Sequence, residues 1–224
     1  MIAIISDVHG NFPALRAVMA EIEKIGCHKV ISLGDVAGYY CNINECIDLL
    51  RKKNVINIMG NHDHYLVNDL NCIRSKSAND CLDYQRENIS SENFDWLKCS
   101  TLRMDIDVAS FVHGGWNDNL EEYLIDIQED YFKDEKAKYY FSGHTHIQSL
   151  KLLGNLYHCN PGSVGQPRDH DPKAAFALFD GERIYLKRIE YDIDEIALAM
   201  KNCGFDRYYY KGLYSGVRIG YSSG

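Results

Sequence analysis

The 224-residue chain has no C-x-x-C pair: its eight cysteines stand singly at Cys27, Cys41, Cys46, Cys72, Cys81, Cys99, Cys159 and Cys203. That scatter excludes the paired-cysteine metal motifs and fits a reduced, cytoplasmic compartment. Positive charge is also short. With 24 Lys and Arg against 32 Asp and Glu, the formal net charge is -8, which argues against long nucleic acid as a partner, since that binding needs clustered basic side chains. No apolar run is long enough to span a membrane. The N-terminal one, Ile2 to Ile5, is too short for a signal core and follows no basic residue, so neither a cleaved leader nor a membrane partner is expected. Internal repeats and low-complexity tracts are missing too. A composition of 46% hydrophobic and 25% charged residues is ordinary globular usage and excludes disorder.

The length suits one α/β domain over residues 1–224. Met1 to Ser6, Lys29 to Leu33 and Val55 to Met59 read as short buried strands. Between them, Pro13 to Ile25 and Asn44 to Lys53 read as helices. This alternation predicts a largely parallel sheet whose functional groups lie just past the strand carboxyl ends. From His64 to Ser100 the chain turns polar and irregular, with helices near Ser77 to Asn88 and Ser91 to Lys98, and residues 64–100 read as a helical insertion or lid. Strand-like runs return at Leu102 to Ile106, Val108 to His113 and Lys138 to Ser142, with an acidic stretch, Leu120 to Lys136, expected to be helical. Two hairpins follow, Gln148 to Leu153 with Leu156 to Cys159, and Ala174 to Phe179 with Arg183 to Glu190. They predict a second, antiparallel sheet. Residues 205–224, with Tyr208, Tyr209, Tyr210, Tyr214 and Tyr221, read as an aromatic packing tail.

The strand ends carry residues that a pure core would not choose. Asp7-Val8-His9-Gly10-Asn11 follows the first strand, Gly34-Asp35 the second, and Gly60-Asn61-His62-Asp63 the third. Asp7, Asp35 and Asn61 recur at about the length of a β-α-β unit, so the fold rule brings them to one sheet edge. His113 and the pair His144 and His146 follow later strands in the same way. Five of nine histidines occupy such ends, whereas His28, His64, His158 and His170 read as structural. Mixed nitrogen and oxygen donors suit divalent first-row ions such as manganese, iron, zinc or nickel, and magnesium and calcium less. Two carboxylates, one amide and four imidazoles are too many for one four-coordinate ion but can hold two ions if one carboxylate bridges.

In order, DVHGN, GD, GNHD, HGG and GHTH make the chain resemble the calcineurin-like metallophosphoesterase superfamily over Ile2 to His146. The run Asn160 to Asp169, NPGSVGQPRD, extends the likeness toward its small prokaryotic phosphoesterase branch. The resemblance implies a four-layer α/β/β/α sandwich with two metals at the strand ends. It implies that Asp7, His9 and His146 hold one ion, that Asn61, His113 and His144 hold the other, and that Asp35 bridges. His62 would be the general acid of phosphate-ester hydrolysis by a metal-bridged hydroxide. Of the chain's own residues, Asp63 reads either as a catalytic helper of His62 or as a backbone cap, and Asn11 and Arg168 read as substrate-binding candidates. A small-molecule phosphodiester is the expected substrate.

The likeness is incomplete at two positions. Protein serine/threonine phosphatases of the superfamily, and the similar symmetrical dinucleoside tetraphosphatases, carry Asp and Arg three and four residues after the bridging aspartate. Gly38 and Tyr39 stand there instead. This weakens the phosphatase and phosphomonoesterase alternatives, with Arg168 a possible replacement for the missing phosphate fork. The complete ligand set weighs against a non-catalytic interaction scaffold.

Overall fold

In the computed structural model, residues 1–220 are described. β1 (Ile2–Ile5) leads to α1 (Phe12–Ile25), β2 (Lys29–Ser32), α2 (Ile43–Lys52) and β3 (Ile56–Asn57). β1 runs through a short turn, Ser6 to Asn11, into its helix, and β2 through a longer, largely buried loop, Leu33 to Asn42. Asn11 caps α1 through Ala14 N–H, and Gly26 closes it in the left-handed conformation. β1, β2 and β3 pair in parallel. The third strand is shorter than expected, continuing only as a bridge from Ile58 to Thr101.

Next come α3 (Asn61–Val67), α4 (Lys76–Asn88) and α5 (Ser91–Lys98). The helical turn at 61–67 was expected to be irregular from His64 onward. Asp63 supplies its start by accepting from Gly60 N–H, a cap hidden inside a stretch read for its ligands. Ala78, Cys81, Leu82 and Leu97 join α4 and α5 to the apolar cluster built on α1 and α2.

The second sheet comprises β4 (Arg103–Ile106), β5 (Ala109–Val112), β6 (Tyr139–Phe141), β7 (Ser149–Leu153) and β8 (Leu156–Asn160), in the order β4-β5-β6-β8-β7. β9 (Ala174–Phe179) and β10 (Ile184–Ile189) complete the strands and α6 (Ile193–Asn202) the α-helices. The two expected hairpins form, but they do not make one antiparallel sheet. The first joins the second sheet, which also holds the parallel pairs β5 with β6 and β6 with β8. The second extends the first sheet, with β9 between β1 and β10. All six β9 residues are buried. A strand covered on both faces belongs inside a sheet, and alternation alone does not say which one.

Ile4, Ile31, Leu33, Ile58, Phe111, Phe141 and Phe179 fill the space between the sheets. On the outside, the first sheet is covered by α1, α2 and α6. The second is covered by the segment around Leu124, Ile127 and Phe132. The fold is therefore the expected α/β/β/α sandwich, with one further correction. Leu120 to Lys136 is not a helix; its one regular element is a 3₁₀ turn at Glu129–Phe132. Side chains instead tie down the turn that precedes and opens the stretch. Asp118 accepts from Leu120 and Glu121 N–H, and the Tyr131 hydroxyl accepts from Trp116 N–H.

Residues 207–215 form two further 3₁₀ turns, with Leu213 and Val217 buried. The expectation for Tyr221 and the rest of 221–224 lies outside the described residues.

Candidate metal centre

The carboxyl ends of β1, β2, β5 and β6, with the first turn of α3, converge on one buried cluster. Asp7, His9 and His113 are fully buried, and Asp35, Asn61, His144 and His146 nearly so. Asp7, His9, Asp35 and His146 each bring one donor atom within 4.8 Å of the others, as do Asp35, His113 and His144. Asp35 belongs to both groups. Its Oδ2 lies 3.6 Å from His9 Nε2 and 3.4 Å from His113 Nε2. Asn61 Oδ1 stands 3.1 Å from His113 Nε2, which adds it to the second group.

The backbone is strained to achieve this. Asp7, His9, Asp35, His144 and His146 have φ of 55, 52, 55, 65 and 61°. Such left-handed conformations are uncommon outside glycine, cost on the order of 1 kcal/mol or more each, and gather at functional sites. Glycine supplies the remaining clearance. A Cβ at Gly60 would run into the backbone and carboxylate of Asp35, and one at Gly38 would lie 2.6 Å from His62 Nδ1.

Tautomers follow from the outer hydrogen bonds. Nδ1 of His9, His113 and His146 sits 2.7, 2.9 and 2.7 Å from the carbonyls of Ala37, Leu33 and Gln166. A carbonyl only accepts, so each Nδ1 carries a proton, and in the neutral rings of His9 and His146 this leaves a lone pair at Nε2 turned inward. Two such Nε2 atoms, of His9 and His146, face each other at 3.1 Å. His113 Nε2 and His144 Nδ1 are 3.2 Å apart. The facing Nε2 lone pairs of His9 and His146 repel at their separation unless a cation lies between them. Donors bound to one ion at about 2.1 Å are roughly 3.0 to 3.4 Å apart in octahedral or tetrahedral shells. Both Asp7 carboxylate oxygens are buried without a hydrogen-bond partner, another deficit a cation would fill.

Electrostatics agrees. Burial pushes the Asp7 carboxyl up to about 7. Burial also holds His9, His144 and His146 well below the usual imidazole range, and the neutral ring is the form that binds a metal. For His113 burial works downward, but the Asp35 carboxylate lifts it to about 9. Burial works upward on Asp35, but the His113, His62 and His9 rings together hold it well below the carboxylate range. The donor set fits a pair of divalent ions sharing Asp35.

His62 lies beside this cluster. Its ring centroid is 5.1 Å from that of His9 and 5.0 Å from that of Tyr39, and its Nδ1 has no hydrogen-bond partner. Its backbone N–H donates to Asp35 Oδ1 at 2.8 Å, tying the first turn of α3 to the shared carboxylate. Asp63 is turned away: its two oxygens accept from Ala37 and Gly60 N–H, so it caps and braces backbone instead of orienting His62. Asn11 is also committed, accepting from Ala14 N–H and donating to the Gly165 carbonyl and the Tyr191 hydroxyl. The catalytic and substrate-binding expectations for these two residues thus meet side chains already occupied in structural bonds. Arg168 does reach the site's mouth, with Nε donating to Gln166 Oε1 at 3.0 Å and its guanidinium 5.4 Å from the Tyr39 ring centroid.

Next to the cluster, a cavity of about 500 Å³ is walled by Asn61, His62, Tyr39 and Arg168, by residues 72–77, and by the tail residues Tyr208 and Arg218. The tail's part was missed because an exposed tyrosine-rich end carries no ligand pattern. Gln85 was missed too. From α4 it donates to the Gly38 and Tyr40 carbonyls and accepts from Gly38 N–H, clamping the loop beside His62. One fully buried glutamine on a polar helix was its only signal.

Comparison with known proteins agrees with this geometry. Residues 1–183 match the calcineurin-like phosphoesterase superfamily domain. An uncharacterized protein of Methanocaldococcus jannaschii is 35% identical over 218 residues, covering 86% of this chain and 88% of the relative. A metallophosphoesterase from Sphaerobacter thermophilus superposes with a TM-score of 0.84 at 29% identity, over 96% of this chain and 98% of that one. A hypothetical protein from Pyrococcus horikoshii shares the fold with a TM-score of 0.82 at 22% identity, over 97% and 100% of the two chains.

Proposed function

From the premise that this chain belongs to the calcineurin-like phosphoesterase superfamily, we propose that it is a dinuclear metal-dependent phosphoesterase acting on small phosphodiesters. The observation that carries this reading is the Asp35 carboxylate shared between two buried donor groups, with the His62 ring alongside. Asp7, His9 and His146 would hold one ion, Asn61, His113 and His144 the second, with Asp35 between them; the mixed donors suit divalent first-row ions, and manganese is the one we propose. When bound, the ions supply Lewis acidity toward the phosphoryl oxygens and a water acidic enough to be a nucleophile near neutral pH.

The chain's own groups do the rest. His62 delivers a proton to the leaving oxygen; burial lowers the ring's proton affinity, and the Asp35 carboxylate offsets part of that loss. Gly38 leaves the ring its space. Arg168 orients a non-bridging phosphoryl oxygen from the cavity wall. The same guanidinium favours a second reading, a phosphomonoesterase, because it can grip a dianion.

Matched aryl esters separate the two. With the manganese-loaded protein, kcat/KM for bis(4-nitrophenyl) phosphate should at least equal that for 4-nitrophenyl phosphate. A monoester preference above about a hundredfold, roughly 2.7 kcal/mol of transition-state stabilisation, would overturn the diesterase reading.

A further inference from the structure

The cavity beside the candidate centre is larger and more cationic than one scissile phosphate requires. At about 500 Å³ it is roughly 10 Å across if taken as a sphere, the size of a whole small ligand. Arg74, Lys76, Arg168 and Arg218 line it, and no acidic side chain among the described residues does. This happens in a chain of net charge -8, so the local excess is not inherited from composition.

The four cations are not equivalent. Arg74 is paired with Glu121, and Lys76 with Asp80 at 2.8 Å. Arg168 meets neutral Gln166 and the Tyr39 ring. Arg218 is exposed, with no acidic partner among the described residues. Arg168 also belongs to the inner end, since its backbone N–H donates to the His146 carbonyl. Lys76 and Arg218 belong elsewhere. Lys76, at the start of α4, and Arg218, in the tail, line the cavity together with Tyr208, and a Cβ at Gly220, two residues from Arg218, would lie 2.9 Å from the Tyr208 hydroxyl. The rim where the start of α4 meets the tail therefore carries the uncompensated charge of Arg218 beside the exposed ammonium of Lys76, which is balanced by Asp80. Three tyrosines, Tyr39, Tyr123 and Tyr208, supply apolar wall.

We propose that the phosphoester taken by this site carries a second phosphate, which Lys76 and Arg218 hold at the rim while the scissile group lies against the buried cluster. The inference rests on the phosphoesterase reading and deepens it. The tail thereby becomes a specificity element: Arg218 comes from the far end of the chain and selects substrates by a charge remote from the reacting atoms.

Thymidine 3′,5′-bisphosphate and thymidine 5′-phosphate are suitable probes, because they differ only in a second, separated phosphate. Calorimetric titration of the metal-loaded protein should give at least tenfold tighter binding of the bisphosphate. In Arg218→Ala and in Lys76→Ala that ratio should fall toward one, with partial recovery in Arg218→Lys. Equal affinities in the native protein, or a ratio that both variants leave intact, would overturn the inference. The reading beneath it is decided separately, by 4-nitrophenolate release from the 4-nitrophenyl esters of the same two nucleotides. A tenfold binding ratio without any release sinks the hydrolase and keeps the second-phosphate site; release with equal affinities does the reverse.

Discussion

Replacing His62 by glutamine probes proton delivery apart from metal binding. The amide keeps much of the side chain's reach but cannot carry a proton to a leaving group. Little else should change. The backbone N–H that holds Asp35 Oδ1 at 2.8 Å is untouched, and Nδ1 has no protein partner to orphan. The ring's neighbours are His9, Tyr39 and Tyr65, with centroids at 5.1, 5.0 and 5.8 Å; losing these contacts to a residue of similar volume should cost about 1 kcal/mol of stability. General acid catalysis is worth about 10² to 10⁴ in rate, or roughly 2.7 to 5.5 kcal/mol of barrier. The assay compares kcat on an alkyl diester with kcat on its 4-nitrophenyl counterpart, alongside elemental analysis. His62→Gln should keep its metal, lose at least a hundredfold on the alkyl ester, and lose under about tenfold on the activated one, whose leaving group needs little protonation. Equal losses on both esters would refute the proton-delivery role, and loss of metal would make His62 a ligand.

Two further outcomes follow from other parts of the fold. Asp35→Asn should lower the metal content from two equivalents to one or none by elemental analysis, whereas Asn61→Ala should lose only one, because only Asp35 lies in both donor groups. His158, buried on β8 against Ser142 Oγ at 2.8 Å, is lowered by burial to about 4. Its folded pKa is below its unfolded one, so the unfolded chain takes up a proton first, and stability falls as pH drops from about 6.5 toward 4. By pH 5 the loss is about 2 kcal/mol, and His158→Gln should flatten that part of the urea-denaturation profile; an unchanged slope would show that His158 is not its source.

The first half of the fold was legible because parallel strands covered on both faces leave continuous apolar runs, and because polar residues at their ends break those runs abruptly. That same break exposed Asp7, Asp35 and Asn61. What escaped was decided by partners far apart in sequence. β9 pairs with β1 across more than 170 residues, and nothing local in its hairpin names that edge. The Leu120 to Lys136 stretch has the composition of a helix, but after the Asp118 turn at Leu120 and Glu121 its one regular element is the 3₁₀ turn at Glu129–Phe132. Asp63 and Asn11 sit inside the ligand motifs and were read with them. Their hydrogen bonds to Ala37, Gly60, Gly165 and Tyr191 appear only once the loops are folded together. The cationic rim is split between residues 74–76 and 218, and no spacing rule joins them.

The central claim is that two divalent ions share Asp35 and make the site reactive. Metal content and hydrolysis measured on the same sample, before and after exhaustive chelation, test it most directly. The account predicts close to two equivalents of a transition metal in the active protein, loss of bis(4-nitrophenyl) phosphate hydrolysis on chelation, and its return when two equivalents of manganese are added back. A protein stripped of metal that hydrolyses the ester at its full rate would contradict it.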